Sequence, residues 1–109
     1  MDTLGIKVAD KVIPAKGIKA IRAEMKLSIA DIKHRVAQRA YIFECDAVDE
    51  DGLALIIRLY TQLTNEDVVC ELYEHDRISS ITFFNNLANM YSEIGNEMDD
   101  IIDNEASDE

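Results

Sequence analysis

Two histidines, two cysteines and twenty-two carboxylates are the residues from which this chain could build chemistry. They do not assemble into a reactive pattern. His34 and His75 lie at no metal-ligand spacing from a cysteine or carboxylate, so no metal site is expected. Cys45 and Cys70 each sit in an apolar, strand-like run, the setting of buried reduced thiols. The acidic stretch DAVDEDG invites a calcium loop. With Gly52 at the sixth position, however, Ala47 falls at position one and Arg58 at position twelve, where carboxylates are required. Neither a phosphate-cradling glycine loop nor a nucleophile elbow occurs. Carboxylate pairs occur only because acid is abundant. No enzymatic activity and no cofactor are expected.

What stands out is the distribution of charge. Residues 1–39 hold nine basic and four acidic residues, 9 − 4 = +5, and residues 40–109 hold two basic and 18 acidic, 2 − 18 = −16, together the net −11. A charge of that sign repels nucleic acid and anionic membranes and leaves protein as the expected partner. At 109 residues the chain fits one domain, organised as residues 1–77 plus an added C-terminal helix and acidic tail over 78–109, in one structural unit. Apolar runs all fall short of a membrane span, and the N-terminus does not read as a signal peptide, so a cytoplasmic location is expected.

The elements that must position these charges follow from periodicity. Leu4 to Val8 reads as a short strand. Pro14 suits a helix start, and Ile18, Ile21 and Met25 recur at helical spacing, with Lys16, Lys19, Arg22 and Lys26 on the adjoining face. Ser28 with Asp31 three residues on marks a second helix start, and Ile29, Ile32 and Val36 form its apolar stripe. Tyr41 to Cys45 reads as a strand. The Asp/Glu cluster then opens a third helix carrying Leu53, Ile56, Ile57, Tyr60 and Leu63, closed by Thr64-Asn65. Val68 to Tyr73 is a third strand, with Val69 and Tyr73, joined by Tyr41 or Phe43, on its open side. From Ser79 to Ile102 the residues Phe84, Leu87, Tyr91, Ile94, Met98 and Ile101 step by three and four along a helix about 35 Å long. The expected fold is α+β: a three-stranded sheet with helices on one face, plus that long C-terminal helix. The first half of the helix is expected to pack on its own domain, folded back across the open face of the sheet. The second half would serve a partner or a weak homodimer of an otherwise monomeric protein.

The stretches IKAIR (Ile18 to Arg22) and ADIKHRV (Ala30 to Val36) resemble the helical hairpin of the bacterial ribosomal stalk protein's C-terminal domain. YIFEC, DEDGLALIIRLYTQL and DVVCELYE extend the resemblance over roughly residues 4 to 74. Lys26 and Ser28 stand where that family has glycines, its N-terminal dimerisation region has no counterpart here, and the C-terminal helix is additional. The resemblance implies a strand-helix-helix-strand-helix-strand order. It also implies that Lys19, Arg22 and Lys33 dock GTP-dependent elongation factors. The acidic half supports a different expectation, which the sequence favours: an inhibitor or immunity protein neutralising a basic partner such as a toxin nuclease. Asp49, Glu50, Asp51, Glu93, Glu97, Asp99 and Asp100 would then meet the cationic cleft.

Overall fold

A computed structural model describes residues 2–91. β1 (Thr3–Val8) is followed by α1 (Ala15–Glu24), α2 (Ile29–Ala37), β2 (Phe43–Asp46), α3 (Glu50–Asn65), β3 (Cys70–Glu74) and β4 (Arg77–Ile78). A fourth helix, α4, covers residues 81–91. The class is α+β, as expected. The sheet, however, has four strands and not three, in the order β2-β1-β3-β4 and antiparallel throughout. The fourth strand forms because His75 and Asp76 take φ of 54° and 62°, the two left-handed positions of a two-residue hairpin turn, and pair Tyr73 with Ile78. Asp and His tolerate that region without glycine, so the turn carries no Gly signal in the sequence.

Alternation on β1 sends Leu4, Ile6 and Val8 inward, and the register sets Phe43, Cys45, Cys70 and Leu72 beside them. Phe43 therefore faces the core, and Tyr41 alone joins Tyr73 on the open side. Ile18 and Ile21 of α1, Ile32 and Val36 of α2, and Leu53, Ile56, Leu59 and Leu63 of α3 complete the core. Two helix ends are set by left-handed residues. Asp67 (φ 64°) lets the Val68 N–H reach the Leu63 carbonyl, and Arg39 (φ 54°) lets the Ala40 N–H reach that of Arg35. The left-handed stop after α3 thus falls on Asp67, not Asn65.

The Ser80 hydroxyl accepts from the Phe83 N–H and caps α4. Phe84 is fully buried in the same cluster as Leu4, Ile6 and Leu72, and Leu87 and Tyr91 pack against it. This part of the helix thus packs on its own domain, on the helical side of the sheet and not across the open face. The expected seam residues Ile94, Met98 and Ile101 lie outside the described residues.

Candidate protein-binding surface on the helical hairpin

The basic surface is built by α1 and α2. Pro14 caps α1 and accepts from the Gly17 and Ile18 N–H groups. Gly17 is required by close packing, because a Cβ there would stand 2.8 Å from Ile13 Cγ1 and 3.1 Å from Val68 Cγ2. At its other end α1 is tied to α3 by Glu24, which accepts from Arg58 Nε at 3.0 Å and Gln62 Nε2 at 2.7 Å. Those two bonds, Arg58 first, hold the Glu24 carboxyl below its ordinary range. Across the turn, Ser28 Oγ accepts from the Asp31 N–H at 3.0 Å, fixing the start of α2.

Between the two helices lies a groove of about 350 Å³ lined by Ala15, Ile18, Lys19, Arg22, Ile29 and Lys33. The fold brings together all three hairpin residues singled out in the sequence, Lys19, Arg22 and Lys33, on the rim of one depression. Its floor is apolar, and Ile29, expected in the buried stripe, is 46% exposed there. As the first residue of α2, Ile29 projects before the helix meets the core, whereas Ile32 and Val36 one and two turns on are buried. Adjoining depressions extend the surface. Lys16 and Lys19 border one beside α3, Lys26 one at the hairpin turn, and Lys11 with the 78%-exposed Val12 one beyond Lys33. Lys11 and Val12 were not singled out in the sequence, because their loop has no periodicity to place it against α2.

The chain's 11 cations divide sharply. Arg35 donates to the Ile42 carbonyl at 2.9 Å, Arg39 pairs with Glu71 at 2.8 Å, Arg58 with Glu24 at 3.0 Å and Arg77 with Glu74 at 3.9 Å. Lys7 sits 4.7 and 4.6 Å above the Tyr41 and Tyr73 rings. The remaining six, Lys11, Lys16, Lys19, Arg22, Lys26 and Lys33, make no ion pair among the described residues, and all six line these neighbouring depressions. Glu66 borders only the depression beside α3, and Asp31 sits in the first turn of α2.

The acidic candidates are placed differently. Asp49 caps α3, its Oδ1 accepting from the Gly52 N–H at 2.9 Å, and Glu50 and Asp51 occupy the first turn, where the positive helix end favours them. Desolvation raises the Cys45 thiol to about 11, and the nearby charges of Asp49, Asp46 and Glu44 add to the shift. Glu93, Glu97, Asp99 and Asp100 lie outside the described residues. Desolvation raises Cys70 to about 12, so both free thiols are held protonated and unreactive near neutrality. The described residues hold no cluster of three potential metal ligands, and none of their helices is long and apolar enough to cross a membrane.

The open face of the sheet is closed in on itself. Tyr41 donates to Asp76 at 2.6 Å and Tyr73 to Glu71 at 3.0 Å, and the two rings meet edge to face at 5.7 Å. Desolvation and these acidic acceptors raise both phenols. A network satisfied in this way supports the sheet. In comparisons with known proteins, no family model matches the chain, and neither a curated protein nor a solved structure does.

Proposed function

We propose that this protein is a non-catalytic protein-binding module whose α1–α2 groove docks an acidic, amphipathic segment of a partner. One observation carries the reading: every cation that makes no ion pair, carbonyl bond or ring contact among the described residues lies on this one surface, around an apolar floor. Apolar contact supplies affinity, and unpaired Lys and Arg at the rim supply steering and register. The stalk resemblance implies the partner class, a GTP-dependent elongation factor, for the same three residues Lys19, Arg22 and Lys33. Titrating purified elongation factors with the native chain and with a Lys19→Glu/Lys33→Glu variant tests it. Native binding should weaken steeply through a few hundred millimolar salt, as screening requires, and the variant should lose it. Binding untouched by the variant would refute the groove as the site.

A second reading has its own observation. The Tyr91 hydroxyl donates to the Ala47 carbonyl at 2.7 Å, so the last described turn of α4 packs at the stretch that carries Asp46 and Asp49. Residues 92–109 then continue with eight carboxylates from an end that is already acidic. This is the inhibitor arrangement, in which acid meets a basic partner. It predicts a partner lost on neutralising residues 92–109 and indifferent to Lys19 and Lys33.

A further inference from the structure

Residues 92–109 carry most of the protein's net charge. They hold eight of the 22 acidic residues and no basic one, whereas residues 1–91 hold 14 acidic and 11 basic, 11 − 14 = −3; −3 and −8 give the total of −11. Ile94, Met98 and Ile101 follow one another four and three residues apart between these carboxylates. That is the pattern of a segment with one apolar side and an acidic remainder. It is also the complement of the hairpin groove, which has an apolar floor of Ile18 and Ile29 and a rim of Lys19, Arg22 and Lys33.

We propose that the chain's own segment 92–109 occupies the α1–α2 groove when no partner is bound. The inference rests on the reading of that groove as a docking site for acidic amphipathic segments. Electrostatics sets the direction. Tyr91, the last described residue, is held at Ala47 between Asp46 and Asp49, whose charges repel the acidic segment that follows, while the six cations that make no ion pair among the described residues attract it to the hairpin. Reach grows along the segment: Ile101, ten residues beyond Tyr91, spans roughly 35 Å when extended and Glu109 roughly 60 Å, against molecular dimensions of 51, 28 and 21 Å. Ile101 and the carboxylates around and beyond it are therefore the part that comes to the groove. Tethering then raises the effective concentration of the segment at the groove to the order of millimolar, so even a weak intrinsic affinity fills the groove part of the time. An outside partner must displace it, and its apparent affinity falls by the fraction of free groove. Neutralising residues 92–109 therefore strengthens outside binding, a response opposite to that of the inhibitor arrangement.

A spin label on Ala106→Cys in the full-length chain tests this, with the labelled native chain as control for Cys45 and Cys70. At low salt the amide signals of residues 15–22 and 29–36 should fall below about half their intensity, and they should recover at 500 mM salt or with Lys19→Glu/Lys33→Glu. Broadening absent from those residues, or transferred to an isotope-labelled second chain in a mixture, overturns the proposal. A companion titration uses an unrelated synthetic peptide of alternating Leu and Glu in helical spacing. The full-length chain with Glu93, Glu97, Asp99, Asp100 and Asp103 neutralised should bind it about fivefold tighter than the native chain does. Equal affinity for the two chains overturns self-occupancy while leaving the docking groove standing. No binding to either chain overturns both.

Discussion

Gly5→Ala tests how the open face of the sheet is held. A Cβ at Gly5 would stand 2.4 and 2.5 Å from Cε1 and Cδ1 of Tyr41, distances no real contact reaches. Since Gly5 is fixed in the central strand β1, paired on both sides, the Tyr41 ring must leave. Its departure removes the hydrogen bond to Asp76, worth about 1 kcal/mol, and the edge-to-face contact with Tyr73, worth about 0.5–1.5. It also removes the ring beneath Lys7, worth about 0.5–1 at an exposed site. Against this stands a gain of about 0.5–1 kcal/mol from replacing glycine in a strand. The net expected loss is about 1–3 kcal/mol. In a domain of this size that lowers Tm by about 4–24 °C. Thermal unfolding of four proteins (native, Gly5→Ala, Tyr41→Ala and the double variant) isolates the cause. In the Tyr41→Ala background Gly5→Ala should be neutral or slightly stabilising. If it costs the same in both backgrounds, the clash with Tyr41 is not the mechanism.

Phe84→Ala should destabilise by about 3–5 kcal/mol, the usual cost of emptying an aromatic core site, because Phe84 is fully buried with Leu4 and Ile6; a loss below 1 kcal/mol in urea unfolding would place α4 outside the core. Glu24 gives a pH signature. Its folded pKa is lowered below the ordinary 4.5, so its contribution is present above that value and disappears as pH falls through the folded pKa. The difference in urea midpoint between the native chain and Glu24→Gln should therefore be constant from pH 7 to 5 and vanish in the acid range; a difference that persists at pH 2.5 would show that the charge is not responsible.

The order from β1 to β3 was legible because each element carries its own periodicity or cap: Ile18 and Ile21 for α1, Ser28 for α2, Asp49 for α3. The fourth strand was not, since two residues have no period and their turn uses His75 and Asp76 in place of glycine. The side chosen by α4 was not legible either. Its apolar seam predicts that the helix must bury something, but Phe84 fits either sheet face by pattern alone. Only the ring of Tyr41 over Gly5, a long-range contact, closes the second option. Lys19, Arg22 and Lys33 were singled out through the resemblance, and their gathering on one groove follows from the short turn that joins α1 to α2. Ile29 was misassigned because apolar spacing marks a helix face without saying where along the helix the core begins.

The cations that make no ion pair among the described residues have a stability cost that bears on their purpose. Lys16, Lys19 and Arg22 follow one another three residues apart on α1, each a neighbour of the next on the helix surface, and Lys19 makes no ion pair among the described residues. Like charges so placed destabilise a helix by about 0.2–0.5 kcal/mol per pair, and opposite charges stabilise it by a similar amount. Lys19→Glu converts two repulsive contacts into two attractive ones, so the variant should be more stable by about 1–2 kcal/mol, a Tm rise of about 4–16 °C. The same change reverses a cation shared by the groove and the depression beside α3. It should weaken binding of an acidic amphipathic peptide at low salt about tenfold, since 1.4 kcal/mol separates a tenfold step. A single substitution that stabilises the fold and impairs binding is what a surface retained for a partner predicts. If Lys19→Glu destabilises the protein, Lys19 serves the fold, and the case for a partner at the hairpin loses its central residue.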